Sequence, residues 1–374
     1  MSRKTKNIIA IIMVIAVTAI ALLGISNQKL KHTDDKNVIK IGAILPLTGN
    51  YAFAGESCRD GMLLAIEMFN KVHGKKVKVL CEDGKGTSKD SISSYNILSQ
   101  QNVPIIFCAA SVTANAIVNP ALKQLTLLAI VSDSNITKKN SNVYNLTINS
   151  QQEIQAIFNF LSLKKTNQVA IIGEKDELGK EINEVARSLA PKFDISIVVN
   201  EEISGAETIV PAITRIMSYN PGAIFIGTAG SNAALIAKRL RELNYSGLIC
   251  GLKSFNSPSI ISQAGQAANG IHICMTSYDT EDGSLEAQNF KNDYISRFNK
   301  EPDIMAAYSF CIIDLALKAY VSANFDINMA KQILSETKNA NSIFGPITCT
   351  DNRMFVFPVD VGFLYNGKVK KAGL

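Results

Sequence analysis

The sequence predicts an α/β protein built as two Rossmann-like, doubly wound parallel-sheet lobes, and three observations predict it. From Val38 onward, short β-type runs alternate with helical patterns, which is the signature of successive βαβ units. The runs are almost unbroken apolar stretches, as in Ala223-Ile224-Phe225-Ile226, and such strands suit a sheet covered on both faces. At 374 residues the chain exceeds one ordinary core and suffices for two. Its 47% apolar and 19% charged residues supply those cores and exclude a disordered chain.

The first element is an apolar run, Ile8 to Ile25, broken only by Thr18 and Gly24, preceded by Arg3, Lys4 and Lys6 and followed by polar residues 26–37. Residues 1–37 therefore read as an export signal with a linker. It is either cleaved after the small-x-small triplet Ala19-Ile20-Ala21 or retained as a membrane tether over residues 8–25. No cysteine follows the run before Cys58, which closes the lipid-anchored route. The positive flank places the bulk of the chain outside the cytoplasm in either case.

A first strand series is expected at Val38–Leu45, Val77–Cys81, Pro104–Cys108 and Leu127–Val131, with a strand-like stretch at Val143–Leu146. A capping box of Ser150 and Glu153 opens the helix that begins a second series. Its strands are expected at Gln168–Ile172, Ile195–Val199, Ala223–Gly227, Leu248–Cys250 and Ile271–Cys274. Residues 285–335 read as almost wholly helical, and a β-type pair at Met354–Leu364 closes the chain. A strand-poor third segment forms no lobe of its own, so the chain crosses between lobes more than once. The expected lobes are residues 38–145 with 277–335, and 146–276 with 336–374.

Several function classes are disfavoured. The net charge of +6 is scattered over short Lys pairs with no aromatic-interleaved basic stripe, so no nucleic-acid partner is expected. G-x-S-x-G, Walker, H-E-x-x-H and G-x-G-x-x-G patterns are all missing. The three histidines, His32, His73 and His272, are far apart, so neither a metal site nor a cofactor is expected. Seven single cysteines with no C-x-x-C pair read as core filling.

What remains is a set of small polar residues at the carboxyl ends of strands, where open α/β sheets bind ligands. They are the turn Thr48–Gly55 with Tyr51 and Phe53, the pair Ser111 and Thr113, the run Ser132-Asp133-Ser134-Asn135, and Thr228 within Gly227–Ser231. Turn punctuation, a helix N-cap at Ser111 and an ordinary loop at 132–135 are the alternative readings.

At these residues the chain resembles the type I periplasmic binding proteins, in their leucine/isoleucine/valine-binding branch. The resemblance runs from Val38 to the C-terminus and is carried by Ile39–Gly49 with Tyr51, Ala52 and Gly55, by Gly61–Glu67, by Glu82-Asp83, and by Val169–Ile172. Gly179, the helix 233–243, the segment 264–270 and Phe344-Gly345-Pro346-Ile347 complete it in the family's order. It implies three hinge crossovers, a ligand in the cleft between the lobes and closure on binding. It also implies a substrate-binding role beside an inner-membrane ABC permease, for an amino-acid-like or other small carboxylate, by a monomer free in the periplasm or tethered there. A sensing component and an exported α/β enzyme are the alternatives. The resemblance puts Ser111 and Thr113 at the ligand carboxylate and Ser132 to Asn135 beside them. In the second lobe the sequence departs from the family: Leu178 stands where an aromatic residue is expected, and Lys253 where an acid meets the ligand ammonium. Lys253 either faces the cleft, favouring ligands without a free ammonium, or lies in solvent; in the first case Asp133 is the alternative ammonium partner.

Overall fold

The computed structural model describes residues 38–49, 51–74, 76–118, 126–131, 133, 135–279 and 283–373. The expected export segment, Ser132 and Ser134 lie outside the described residues. The first series is β1 (Val38–Leu45), α1 (Ala52–His73), β2 (Lys76–Asp83), α2 (Ser88–Ser99), β3 (Ile105–Ala109), α3 (Ser111–Ile117), β4 (Thr126–Ile130), α4 (Ile136–Lys139) and β5 (Val143–Leu146). The second is α5 (Ser150–Leu163), β6 (Gln168–Glu174), α6 (Glu177–Leu189), β7 (Ser196–Ile203), α7 (Ile209–Ser218), β8 (Ala223–Gly227), α8 (Gly230–Glu242), β9 (Leu248–Gly251), α9 (Pro258–Ala264) and β10 (Ile271–Met275). Then come α10 (Leu285–Phe298), α11 (Ile304–Ser322), α12 (Ile327–Ser335), β11 (Thr348–Cys349), β12 (Met354–Val356), β13 (Asp360–Tyr365) and β14 (Lys368–Lys371).

These strands form two seven-stranded sheets, ordered β11-β12-β5-β4-β3-β1-β2 and β14-β13-β10-β9-β8-β6-β7. Strands β1 to β5 pair in parallel, as do β6 to β10, and among the described residues the antiparallel strand pairs are β11–β12, β10–β13 and β13–β14. The apolar runs divide by parity as a two-faced sheet requires. Ile41, Ala43 and Leu45 of β1 enter the core shared with α1 and α11, while Ile44 enters the core under α2 and α3. In β8, Ile224 and Ile226 face α7 and α8, whereas Ala223 and Phe225 face α5 and α6. All seven cysteines are unpaired, six of them buried. Burial pushes the Cys108 thiol up to about 12, so it behaves as a small apolar group.

The chain crosses between sheets three times, at residues 147–149, between β10 and α10, and at residues 357–359. The third crossing corrects the expected assignment of residues 336–374 to the second lobe. β12 pairs in parallel with β5 through Met354↔Asn145 and Phe355↔Leu146, and Phe355 is buried in the first core. Only from Asp360 does the chain join β10. A single β-type pair in the sequence is thus divided between two sheets, because each sheet has an open edge for a short strand to cover.

Candidate functional site

The candidate residues cluster on loops that leave the carboxyl ends of the parallel strands. In the first lobe, the turn after β1 is shaped by Asp83 at the end of β2. Its carboxylate accepts the Leu47 N–H at 2.9 Å, the Thr48 hydroxyl at 2.6 Å and the Lys85 N–H at 2.9 Å. Gly55 lets α1 start hard against this turn: a Cβ there would lie 2.1 Å from the Pro46 carbonyl oxygen. Tyr51 and Phe53, at the start of α1, are 57% and 69% exposed and form an aromatic rim.

After β3 the chain passes through Ala110 at φ 80°, ψ 130° before entering α3 at Ser111. A residue with a Cβ in this region is strained, and such strain concentrates where a side chain is held for a purpose. The turn sets half-buried Ser111 at the strand end. Thr113 goes elsewhere: it is fully buried, with its hydroxyl 3.0 Å from the Ser91 hydroxyl of α2. The Thr113 hydroxyl therefore points away from Ser111, as residues two apart on a helix diverge by about 200°, and what Thr113 can bring to the strand end is its N–H in the first turn of α3. After β4, Asp133 accepts the Asn135 N–H at 2.9 Å and pairs with Lys139 at 3.0 Å; Lys139 also donates to Asn115 at 2.6 Å. Burial works against its charge, but these partners hold the Asp133 carboxyl below its usual range. Asn135 accepts from Lys138 at 2.9 Å.

In the second lobe, Thr228 is buried at the end of β8, and Leu178 is half-buried against the core beneath α5 and α6. Gly179 repeats the Gly55 device: a Cβ there would lie 1.9 Å from the Glu174 carbonyl oxygen, so α6 packs directly on the end of β6. Glu174 accepts from Asn232 at 2.6 Å.

Lys253 does not lie in solvent. It is 7% exposed, and its ammonium is paired at 2.5 Å with Asp279 of the second crossover. Asp279 also accepts the Thr276 N–H at 2.7 Å, the Thr276 hydroxyl at 2.9 Å and the Asn256 amide at 3.3 Å. The Lys253 backbone N–H donates to Glu153 at 3.2 Å. The lysine is neither solvated nor an unpaired charge. The alternative partner for a ligand ammonium, Asp133, is itself paired with Lys139.

Two carboxylates were missed. Glu153, at the start of α5, is raised to about 7 by burial, with the Lys253 N–H and charge opposing and Glu181 adding to the rise. Glu181, on α6, is also raised by burial, with Ser150 opposing the rise and Asp133 and Glu184 adding to it. A signal for Glu181 was present, since it lies three residues after Leu178 on the same helical face. The signal for Glu153 was hidden by a one-residue slip in the cap. Asn149, not Ser150, is the N-cap: it is extended at φ −101°, ψ 165°, accepts the Gln152 N–H at 2.9 Å and donates its own N–H to the Gln152 side-chain oxygen at 3.4 Å.

A separate groove of about 1270 Å³ is bounded by α10, residues 275–279 and β14, with Lys291, Asn256 and Lys370 among its walls. None of the expected site residues lines it, although Asn256, Thr276 and Asp279 of the Lys253 network do.

Comparison with known proteins agrees with this geometry. The Leu/Ile/Val-binding protein BraC3 of Rhizobium johnstonii is 24% identical over 265 residues, 68% of this chain and 71% of its own length. The substrate-binding protein LivJ of Streptococcus pneumoniae, solved with isoleucine, superposes with a TM-score of 0.74 at 22% identity, covering 89% of this chain and 98% of its own. An R. palustris ABC transporter solute-binding protein solved with benzoate gives 0.73 at 19% identity, covering 90% and 96%. The family described as periplasmic binding protein matches residues 38–360, and the two sheets agree with it: the chain belongs to that family.

Proposed function

We propose that the chain is the exported substrate-binding component of an ABC importer, closing its lobes over an amino acid or another small carboxylate and delivering it to an inner-membrane permease. The observation that supports this reading is Ser111, set by the strained Ala110 turn at the carboxyl end of a central strand of the first sheet. Its hydroxyl is the first-lobe donor for the ligand carboxylate. The solved relatives with isoleucine and benzoate support a carboxylate as the shared feature. Residues 1–37 serve export, by cleavage or as a tether, and the working form is a monomer.

The test is calorimetry with the twenty L-amino acids and benzoate on the wild type and on Ser111→Ala. Losing a hydrogen bond to a charged group weakens the best ligand by about tenfold or more. A wild type that binds none of these probes, or a Ser111→Ala variant with unchanged affinity, sinks the reading.

A further inference from the structure

The geometry points to a docking site for a partner protein: the groove between α10 and β14 takes an acidic, extended peptide segment that adds a strand to the open edge of the second sheet. None of the residues expected at the strand-end site lines this groove, which sets it apart from the site proposed for the carboxylate.

Strand β14 is formed by a two-residue hairpin. Asn366 and Gly367 sit at φ 49° and 76°, the two positive angles that a type I′ turn needs, and they set the register from Tyr365↔Lys368 to Gly362↔Lys371. The Ala372 N–H donates to the Val361 carbonyl at 3.0 Å. By the alternation of an antiparallel ladder, Lys368 and Lys370 then turn their main chain toward β13 as well, while Val369 and Lys371 turn theirs outward. Among the described residues β14 is the last strand of its sheet, so no strand meets it on that outward side. The Val369 side chain is buried in the second core and holds the edge in place.

The groove follows that edge. All five residues from Gly367 to Lys371 line it, whereas a cavity on one face of a strand meets only alternate residues. The opposite wall is one stripe of α10, formed by Gln288, Lys291, Asn292 and Ile295 at the spacing of a single helix face. Phe290 and Tyr294 of α10 are buried in the first core, so a segment lying here touches both lobes. At about 1270 Å³ the groove exceeds the roughly 300–1,000 Å³ of small-molecule sites.

Charge selects the occupant. Among the described residues, four lysines and three acids line the groove. Asp360 is answered by Lys371 at 2.9 Å and Asp279 by Lys253, which sets Glu301 against Lys291, Lys368 and Lys370. A second copy of the chain pairing β14 with β14 would place lysines opposite lysines, which is destabilising. An acidic strand meets the same lysines with opposite charge and satisfies the edge with main-chain hydrogen bonds, the mode of strand addition.

Fluorescence anisotropy on the full chain tests this with a fluorescein-labelled octapeptide of alternating Glu and Val. It should bind saturably, and about tenfold or more tighter than the same peptide with Lys in place of Glu. Alternate residues of an extended strand turn their main chain to the same side, so N-methylation of one alternate set should abolish binding and N-methylation of the other should leave it nearly unchanged. On the protein, Lys370→Glu should weaken the peptide by about tenfold. Lys371→Pro removes an outward N–H together with the charge, whereas Lys371→Ala removes the charge and keeps the N–H. The proline variant should lose most of the binding that the alanine variant retains. Melting curves establish that each variant is folded. Absence of saturable binding, or a Lys peptide that binds as tightly, overturns the inference. So do two N-methylated forms that bind as the unmodified peptide does, or equal affinities in Lys371→Pro and Lys371→Ala, since charge attraction without strand pairing would then explain the binding.

Discussion

Lys253 and Glu153 are the residues whose surroundings most change the chemistry expected of them. The Lys253–Asp279 pair is buried on both sides, at 8% and 2% side-chain exposure, so removing one partner leaves a lone charge in a poorly solvated place. Lys253→Met and Asp279→Leu should each cost about 3–5 kcal/mol in urea unfolding, and the double variant should cost clearly less than their sum. Additive losses would mean that the two do not act as a pair. Glu153 has the opposite sign from a surface carboxylate. Its folded-state value of about 7 lies above the ordinary 4.5, so the folded protein holds a proton that the unfolded chain releases. Its contribution to stability is therefore complete below about pH 4.5 and is lost as pH rises through 7. The difference corresponds to roughly 3 kcal/mol. Lys253, Glu181, Cys274 and Tyr308 are the other titratable groups it interacts with. Comparing wild type with Glu153→Gln isolates its part: the wild type should lose stability relative to the variant between pH 5 and pH 8. Parallel pH profiles would show that Glu153 titrates normally.

At the scale of elements, the start of α5 gives a sharp test, because its cap lies one residue before the position that the sequence pattern favours. Asn149→Ala should cost about 1 kcal/mol, and Ser150→Ala less, in thermal or urea unfolding. The reverse order would restore the box of Ser150 and Glu153. The slip explains what was and was not legible. Ala223–Gly227 and Val38–Leu45 stand where their composition puts them, since a strand buried on both faces must be apolar throughout. Ser150-x-x-Glu153 and Asn149-x-x-Gln152 satisfy the same local rule, and only a partner 100 residues away, the Lys253 N–H, decides that Glu153 turns inward. The division of Met354–Leu364 between sheets failed to show for the same reason, as pairing to β5 or to β10 is non-local. In the site, Ser111 was legible from its place after a strand. Glu181 was within reach of the same reasoning, since it shares a helical face with Leu178.

For the whole molecule, the three crossings are short and each is fastened close to its ends. The Ile148 N–H donates to the Tyr308 hydroxyl at 3.3 Å, the Tyr278 hydroxyl donates to the Pro302 carbonyl at 2.6 Å, and Phe357 stacks on Phe344 at 4.6 Å between ring centres. Asp279, one residue after Tyr278, is tied instead to Lys253 of the second lobe. The second crossing therefore changes allegiance within two residues, which leaves little chain to flex and two well-packed sheets on either side. Interiors packed this way move as bodies, with the torsional change absorbed at the crossings. Small-angle scattering should accordingly show a smaller radius of gyration when the best-binding L-amino acid is added at saturation. Amide exchange should slow at residues 110–114, 147–149 and 276–279 while β1, β3, β6 and β8 stay as they were. A ligand that binds by calorimetry without compaction, or with protection spread evenly through both sheets, would mean that the lobes do not rotate about these crossings.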